Sequence, residues 1–202
     1  MAKRKKKLED IQQQVLEAAM KLYTEHGIEK TSIRNIAELI GYSPASVYFY
    51  FKNKAEIMFT LHLKGFKELK RRFDVLRSVK NPLERLKAMG RAYLQFSVEY
   101  PALYDLMFSS TYPMQHLEDA DEAMWRQGEA TFDALRQTVT DCVAAGHFAG
   151  HHTEALSFLI WSAVHGMVVL HQSGRSEKAQ VEAYQDIVEM SYSEFERMLD
   201  RL

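Results

Sequence analysis

The sequence predicts an all-α fold. Two observations carry this. Apolar residues recur at helical spacing along nearly the whole chain, and no run alternates in the strand manner. Breakers are also rare: nine Gly and four Pro punctuate 202 residues. A hydrophobic share of 47 % with 26 % charged residues is ordinary for a packed domain and argues against disorder.

The elements follow in order. Ile11, Val15, Ala18 and Leu22 mark one face of a first helix, which Gly27 stops. Thr31 or Ser32 caps a short second helix carrying Ile33, Ile36, Ala37 and Ile40, ended by Gly41. Ser43 caps a third, with Pro44 at its first position, where a missing N–H costs nothing. That helix is expected to run to about Tyr50. Beyond Lys52-Asn53-Lys54 a long helix turns Ile57, Leu61, Phe66, Leu69, Phe73 and Leu76 inward. Asn81-Pro82 opens a fifth, with Leu83, Leu86, Met89, Tyr93, Phe96 and Tyr100 inward, and Pro101 starts a short sixth. A seventh is expected from about Glu118 to Ala145, followed by a loop between Gly146 and Gly150 that holds three histidines nearby. Two more, from about Thr153 to Gln172 and Glu177 to Arg201, bring the total to about nine.

Charge is divided unevenly. Residues 1–80 hold 17 Lys and Arg against 9 Asp and Glu, a surplus of +8, whereas residues 81–202 carry −9. A basic first part suits a polyanionic partner. The run Lys3-Arg4-Lys5-Lys6-Lys7 is either a flexible phosphate-binding arm or a solvated tail. No apolar signal core follows it. The single cysteine, Cys142, fits a reducing compartment, so a cytoplasmic location is expected. The apolar stretch Ala155–Leu170 is shorter than the roughly 20 residues of a membrane span. It is expected to be a buried helix, with no membrane partner.

Residues 31–50 form helix, glycine turn, helix: the helix-turn-helix pattern, whose second helix enters the DNA major groove. Pro44, Ala45 and Ser46 keep the leading end of that helix small, and bulkier groups would hold it off the bases. Tyr48, Tyr50 and Lys54 are donors for phosphate oxygens. Arg34 is suited to a bidentate guanine contact. A dimer neutralising about eight phosphates would lose affinity with salt at a log–log slope of roughly −7.

The surrounding residues extend this pattern. Val15-Leu16-Glu17-Ala18-Ala19, Leu22, Gly27, Thr31 through Ala37, Gly41, Ser43 and Val47 through Lys54 together resemble the TetR-family DNA-binding domain, ungapped over about residues 10–60. The resemblance implies base contacts from Arg34, Ser46 and Phe49, and backbone contacts from Thr31 or Ser32, Tyr48, Tyr50 and Lys54. With the cap and first residues of the recognition helix, the expected DNA-binding set is Thr31, Ser32, Arg34, Ser43, Pro44, Ala45, Ser46, Tyr48, Phe49, Tyr50 and Lys54. Many relatives carry a polar pair where this chain has Pro44-Ala45. Fewer donors there shift readout toward DNA shape or apolar contact with thymine methyls.

The resemblance also implies an organisation. Residues 1–55 would form a basic arm and helix-turn-helix domain, joined by the long helix to a sensing and dimerising domain over 56–202. Trp161-Ser162-Ala163-Val164-His165-Gly166, with Pro101-Ala102-Leu103-Tyr104-Asp105-Leu106-Met107-Phe108, resembles the C-terminal domain type named for its Trp, His and Gly. Pairing is expected through the last two helices, at Val164, Val168, Tyr184, Val188, Tyr192 and Phe195, as a four-helix bundle. Phe66, Met89, Tyr93, Phe96, Tyr104, Met107, Phe108, Trp125, Phe132, Trp161 and His165 are candidate lining for an apolar or aromatic effector. His165 is either a structural bond to a carbonyl or a ligand contact.

The function implied is a repressor that binds an inverted-repeat operator as a homodimer and releases it on binding a small molecule. A regulator without a small-molecule ligand, or an activator, is the alternative. No enzyme motif is present: there is no phosphate loop and no nucleophile elbow. His147, His151, His152 and Glu154 are interrupted by Gly146 and Gly150, so neither a metal nor any cofactor is expected.

Overall fold

The computed structural model describes residues 2–110, 112, 122–178 and 187–202, with the side chains of 2–8, 122–127 and 177 outside that description. Among the described residues the chain is helical and contains no strand. The helices are α1 (Ala2–Lys30), α2 (Ile33–Leu39), α3 (Pro44–Tyr48), α4 (Lys54–Val75), α5 (Pro82–Glu99), α6 (Pro101–Phe108), α7 (Glu122–Ala144), α8 (Thr153–Gln172) and α9 (Ile187–Leu199). A 3₁₀ turn, Leu76–Ser78, follows α4, and a single α-helical turn, Arg175–Lys178, follows α8.

Local chemistry sets the boundaries. At Gly27 the backbone leaves helical geometry (φ 76°, ψ 177°), a conformation glycine adopts without a Cβ clash. Ser32 caps α2 by accepting from the Asn35 N–H, and Ser43 caps α3 by accepting from the Ser46 N–H. Asn81 caps α5 by accepting from the Leu83 and Glu84 N–H groups, with Pro82 at the first helical position. α3 is shorter than expected. It ends at Tyr48, and the chain turns at residues 49–50. The basic run Lys3–Lys7, expected as either a flexible arm or a solvated tail, belongs to helix α1.

The chain packs as two compact units. The first comprises residues 1–66 with 102–126, the second residues 67–101 with 127–202. The first unit's core joins Val15, Ala19 and Leu22 of α1 to Ile33, Ile36 and Ala37 of α2, Val47 of α3, and Ile57, Met58 and Leu61 of α4. Leu106 of α6 is fully buried in the same core. α6 is tied there by polar bonds as well. The Tyr23 hydroxyl donates to the Asp105 carboxylate. The His62 imidazole meets the Leu106 carbonyl at 3.4 Å. The carbonyl can only accept, so the proton sits on Nδ1.

In the second unit α8 packs on α5 and α9, and α5 packs on α9. Leu83, Leu86, Val139, Cys142, Leu156, Ile160 and Leu199 form a core. Phe148 is fully buried among them, although it lies in the loop between Gly146 and Gly150 and adopts a left-handed backbone (φ 58°). Tyr100, expected to face inward, is exposed at the end of α5, where its ring lies 5.4 Å from the Arg72 guanidinium. α8 is long and apolar enough, by length and composition alone, to cross a membrane.

Candidate nucleic-acid interface

The first unit presents α2 and α3 as a packed pair joined by Gly41, which takes φ 72° in the turn. Val47 is the residue α3 buries, and it fixes the helix by inserting into the core. The rest of α3 faces outward. Pro44, Ala45, Tyr48 and Phe49 are all exposed, and Phe49, at 76 % exposure, is the most exposed of the large apolar side chains among the described residues. Burying an aromatic ring against water-free surface is worth roughly 1.5–3 kcal/mol. The Phe49 ring is left bare, with little of that gain made within the chain. Its orientation is fixed by an edge-to-face contact with Tyr50, 5.2 Å between centroids.

The polar members divide into presenters and supporters. Arg34 is exposed near the start of α2, and its guanidinium makes no ion pair among the described residues. Ser32 keeps its hydroxyl proton available while its oxygen caps α2. Ser43 and Ser46 are bonded to each other at 2.9 Å, and Ser43 also accepts from the Ser46 N–H. Between the two hydroxyls, one proton is already engaged. Tyr50 is half-buried. Lys54 donates to the Ile28 carbonyl at 2.9 Å and sits over the Tyr112 ring at 4.8 Å. Its ammonium therefore clasps α1 as well as carrying charge.

Thr31 corrects an expectation. It is fully buried, and its hydroxyl donates to the Gly27 carbonyl at 2.9 Å. That bond closes the α1–α2 turn and leaves nothing to offer a phosphate, so of the pair Thr31 or Ser32 the structure presents Ser32. The exposed Leu39 and Tyr42 flank the other turn, between α2 and α3 at Gly41, and neither is among the residues expected from the sequence. The signal was available: a large apolar residue and an aromatic adjoin a glycine turn, where a core position would have been spaced differently.

The candidate lining residues fall in both units. Phe66, Tyr104, Met107 and Phe108 belong to the first, where Phe108 contacts Phe66 and Tyr104 at 5.4 and 4.8 Å between centroids. Met89, Tyr93, Phe96, Phe132, Trp161 and His165 belong to the second. The Trp125 side chain lies outside the described residues. Phe96 and Tyr104 are fully buried and expose no surface to solvent or to a water-sized cavity, so they are packing residues and not lining. Half-buried Trp161 and His165 gather around Tyr93. Trp161 Nε1 donates to the Tyr93 oxygen at 3.4 Å, and the Tyr93 hydroxyl meets His165 Nδ1 at 3.0 Å. His165 therefore bonds a phenol. Burial holds its imidazole pKa below the usual 6.5. Phe132 packs against Trp161 at 5.7 Å.

The expected pairing residues need a larger correction. Val164 and Val168 are only 5 and 2 % exposed, and they continue the inward stripe of Leu156 and Ile160 at four-residue spacing. Tyr192 is buried and its hydroxyl donates to the Lys87 carbonyl at 2.6 Å. These three build the unit's own core. α8 has the helical spacing expected, but apolar residues occupy both of its faces, and Val164 and Val168 lie on the inward one. Outward stand Phe158, Leu159 and Leu170, at 60, 63 and 52 % exposure, with Met190 and Met198 exposed on α9. Val188 and Phe195 are half-buried, and Tyr184 lies outside the described residues.

With this geometry established, comparison with known proteins is direct. Residues 15–61 match the family described as "Bacterial regulatory proteins, tetR family". Residues 86–202 match "Tetracyclin repressor-like, C-terminal domain", a different name from the Trp-His-Gly type expected. The HTH-type transcriptional repressor KstR2 of Mycobacterium tuberculosis is 36 % identical over 81 residues, 39 % of this chain. That match spans only 40 % of the relative's length. Among solved structures, the TetR family regulator PfmR of Thermus thermophilus superposes with a TM-score of 0.70 at 21 % identity, covering 93 % of this chain and 97 % of that one. AibR, solved with isovaleryl coenzyme A and operator DNA, superposes with a TM-score of 0.68 at 18 % identity, covering 93 and 96 %. The match to the C-terminal family covers more than half of the sequence, and the N-terminal match falls on the helix-turn-helix. The chain belongs to the TetR family of DNA-binding transcriptional regulators.

Proposed function

We propose that the protein is a ligand-responsive repressor: a cytoplasmic homodimer that binds an inverted-repeat operator through residues 1–55 and leaves it when residues 56–202 take up a small, largely apolar or aromatic effector. The observation that carries DNA binding is the exposed face of α2 and α3, with Arg34, Tyr48 and Phe49 presented together on the segment that matches the tetR family of bacterial regulatory proteins. Two copies are needed because one recognition helix covers one half-site. The outward apolar residues of α8 and α9 supply the pairing surface, since a monomer seldom leaves such residues clustered in water.

The effector reading rests on the chemistry of the second unit. Tyr93, Trp161 and His165 form a hydrogen-bonded aromatic group, with Phe132 beside it. An apolar ligand with a single polar atom suits such surroundings. AibR, of the same fold, has been solved with both a short-chain acyl coenzyme A and DNA, which favours a ligand-responsive regulator. Release requires the effector to bind the DNA-free state more tightly than the DNA-bound state, by as much as it weakens DNA binding.

The test is recovery of fragments from the source genome by the purified protein at moderate salt. Enrichment of a few sites with inverted-repeat symmetry is the expected result. A thermal-shift screen of metabolites then tests sensing, since a ligand selective for the native state must raise the melting temperature. Uniform, weak, salt-sensitive binding to all fragments would overturn the operator reading.

A further inference from the structure

Resting on that reading, the geometry points to a specific manner of operator recognition: the α3 face reads C5-methyl groups of thymine in the major groove, and Phe49 is the specificity-determining side chain. Ala45 and Phe49 are four residues apart, and Phe49, just past the end of α3, keeps helical backbone angles (φ −66°, ψ −27°). They therefore lie on one face, one above the other. Pro44 and Tyr48 form the neighbouring pair at the same spacing. All four side chains are exposed, and three of the four have no hydrogen-bonding group.

The donors that would read base edges are largely absent or engaged. Ser43 and Ser46 hold each other at 2.9 Å, and Ser43 is committed to capping. Pro44 lacks even a backbone N–H. Arg34 remains as the one exposed cationic side chain on α2, suited to guanine O6 and N7. The other face offers apolar surface, and the apolar feature of the major groove is the thymine methyl. Residues 1–66 carry 11 Lys and Arg against 7 Asp and Glu, and residues 15–61 match a family of bacterial regulatory proteins, which together select DNA as the occupant of this face over an apolar protein partner. The ring of Phe49 is already oriented by Tyr50, so little rotamer freedom is lost on docking. Each half-site is thus expected to carry a guanine for Arg34 and at least one thymine beneath Phe49.

The experiment uses the full-length chain and a duplex selected by it from a random-sequence pool. Each thymine is replaced in turn by uracil, which deletes the methyl and keeps every hydrogen-bonding group. Affinity is read by fluorescence anisotropy at fixed salt. Burial of one methyl is worth roughly a fourfold change in affinity. At least one thymine in each half-site should therefore show about a fourfold loss on conversion to uracil. That loss should vanish in Phe49→Ala and persist in Phe49→Leu. The inference is overturned if no uracil substitution matters, if the selected half-site lacks thymine, or if the uracil effect survives in Phe49→Ala. A wild-type chain that selects no sequence at all overturns the operator reading itself, and the two failures are thereby distinguished.

Discussion

The Tyr192 hydroxyl occupies the place a side chain on Gly90 would need: a β-carbon built on that glycine would lie 2.0 Å from the phenol oxygen. The hydroxyl is held there by its bond to the Lys87 carbonyl, one turn earlier on α5. The glycine is what allows α9 to approach α5 this closely.

Gly90→Ala is accordingly expected to destabilise the protein. Alanine gains about 1 kcal/mol in helix propensity over glycine, but forcing a methyl into a packed contact costs about 1–3 kcal/mol. Here the opposing atom belongs to a buried ring, so the upper part of that range applies and the net loss is about 1–2 kcal/mol. Urea denaturation measures it. Combining the change with Tyr192→Phe removes the nearest clashing atom, so the double variant should lose less than the sum of the two single ones. Strict additivity would contradict the contact.

Tyr23 and Asp105 make the corresponding link in the first unit. Burial and the neighbouring carboxylate both raise the Tyr23 pKa, so the phenol stays protonated and donates at all working pH values. Tyr23→Phe should cost about 1.5–3 kcal/mol, the range for a hydrogen bond to a charged group. Asp105→Asn should cost less, because an amide oxygen still accepts. Equal losses for the two variants would show that the charge matters more than the bond.

Stability should fall on mild acidification. Burial keeps the His62 and His165 imidazoles neutral in the native chain to a lower pH than in the unfolded one. Below the ordinary value of 6.5 the unfolded chain takes up protons that the native chain resists, so stability present above pH 6.5 is lost as pH drops toward the depressed native values. Replacing either histidine by glutamine should flatten the melting temperature between pH 7 and 5. An unchanged slope in both variants would assign the acid sensitivity to other groups.

The two faces of α8 give opposite expectations for the same chemical change. Leu159→Arg places a charge on an outward position and should leave the fold intact while yielding monomers in sedimentation velocity. Val164→Arg buries a cation without a partner, which costs several kcal/mol and should unfold the second unit. A soluble, folded, dimeric Leu159→Arg protein would remove α8 from the pairing surface.

Helix identity and order were legible in the sequence because caps and breakers are local signals. Ser32, Ser43 and Asn81 act where their residue types predict, and Gly27 and Gly41 turn the chain as expected. Burial on α8 was not legible. Apolar residues occur on both sides of that helix, and periodicity cannot say which side meets its own chain and which meets water. Thr31 misled for a related reason: a hydroxyl at a helix start suits a phosphate or a carbonyl equally, and only the proximity of Gly27 decides. Phe148 escaped because a loop bracketed by glycines was not expected to supply core. The lone large apolar side chain in that loop was the available hint.

The burial of Leu106 among residues of α1 to α4 bears on modular grafting. Regulators of this kind invite exchange of their first fifty or so residues between proteins, to give one sensor another's address on the genome. Here the reading head is completed by a piece encoded some fifty residues further along. A transplant ending at residue 55 would leave behind Leu106 and the Asp105 carboxylate that Tyr23 requires. Chimeras should inherit weak DNA binding unless the recipient supplies an equivalent leucine and acid, or the sixth helix travels with the graft.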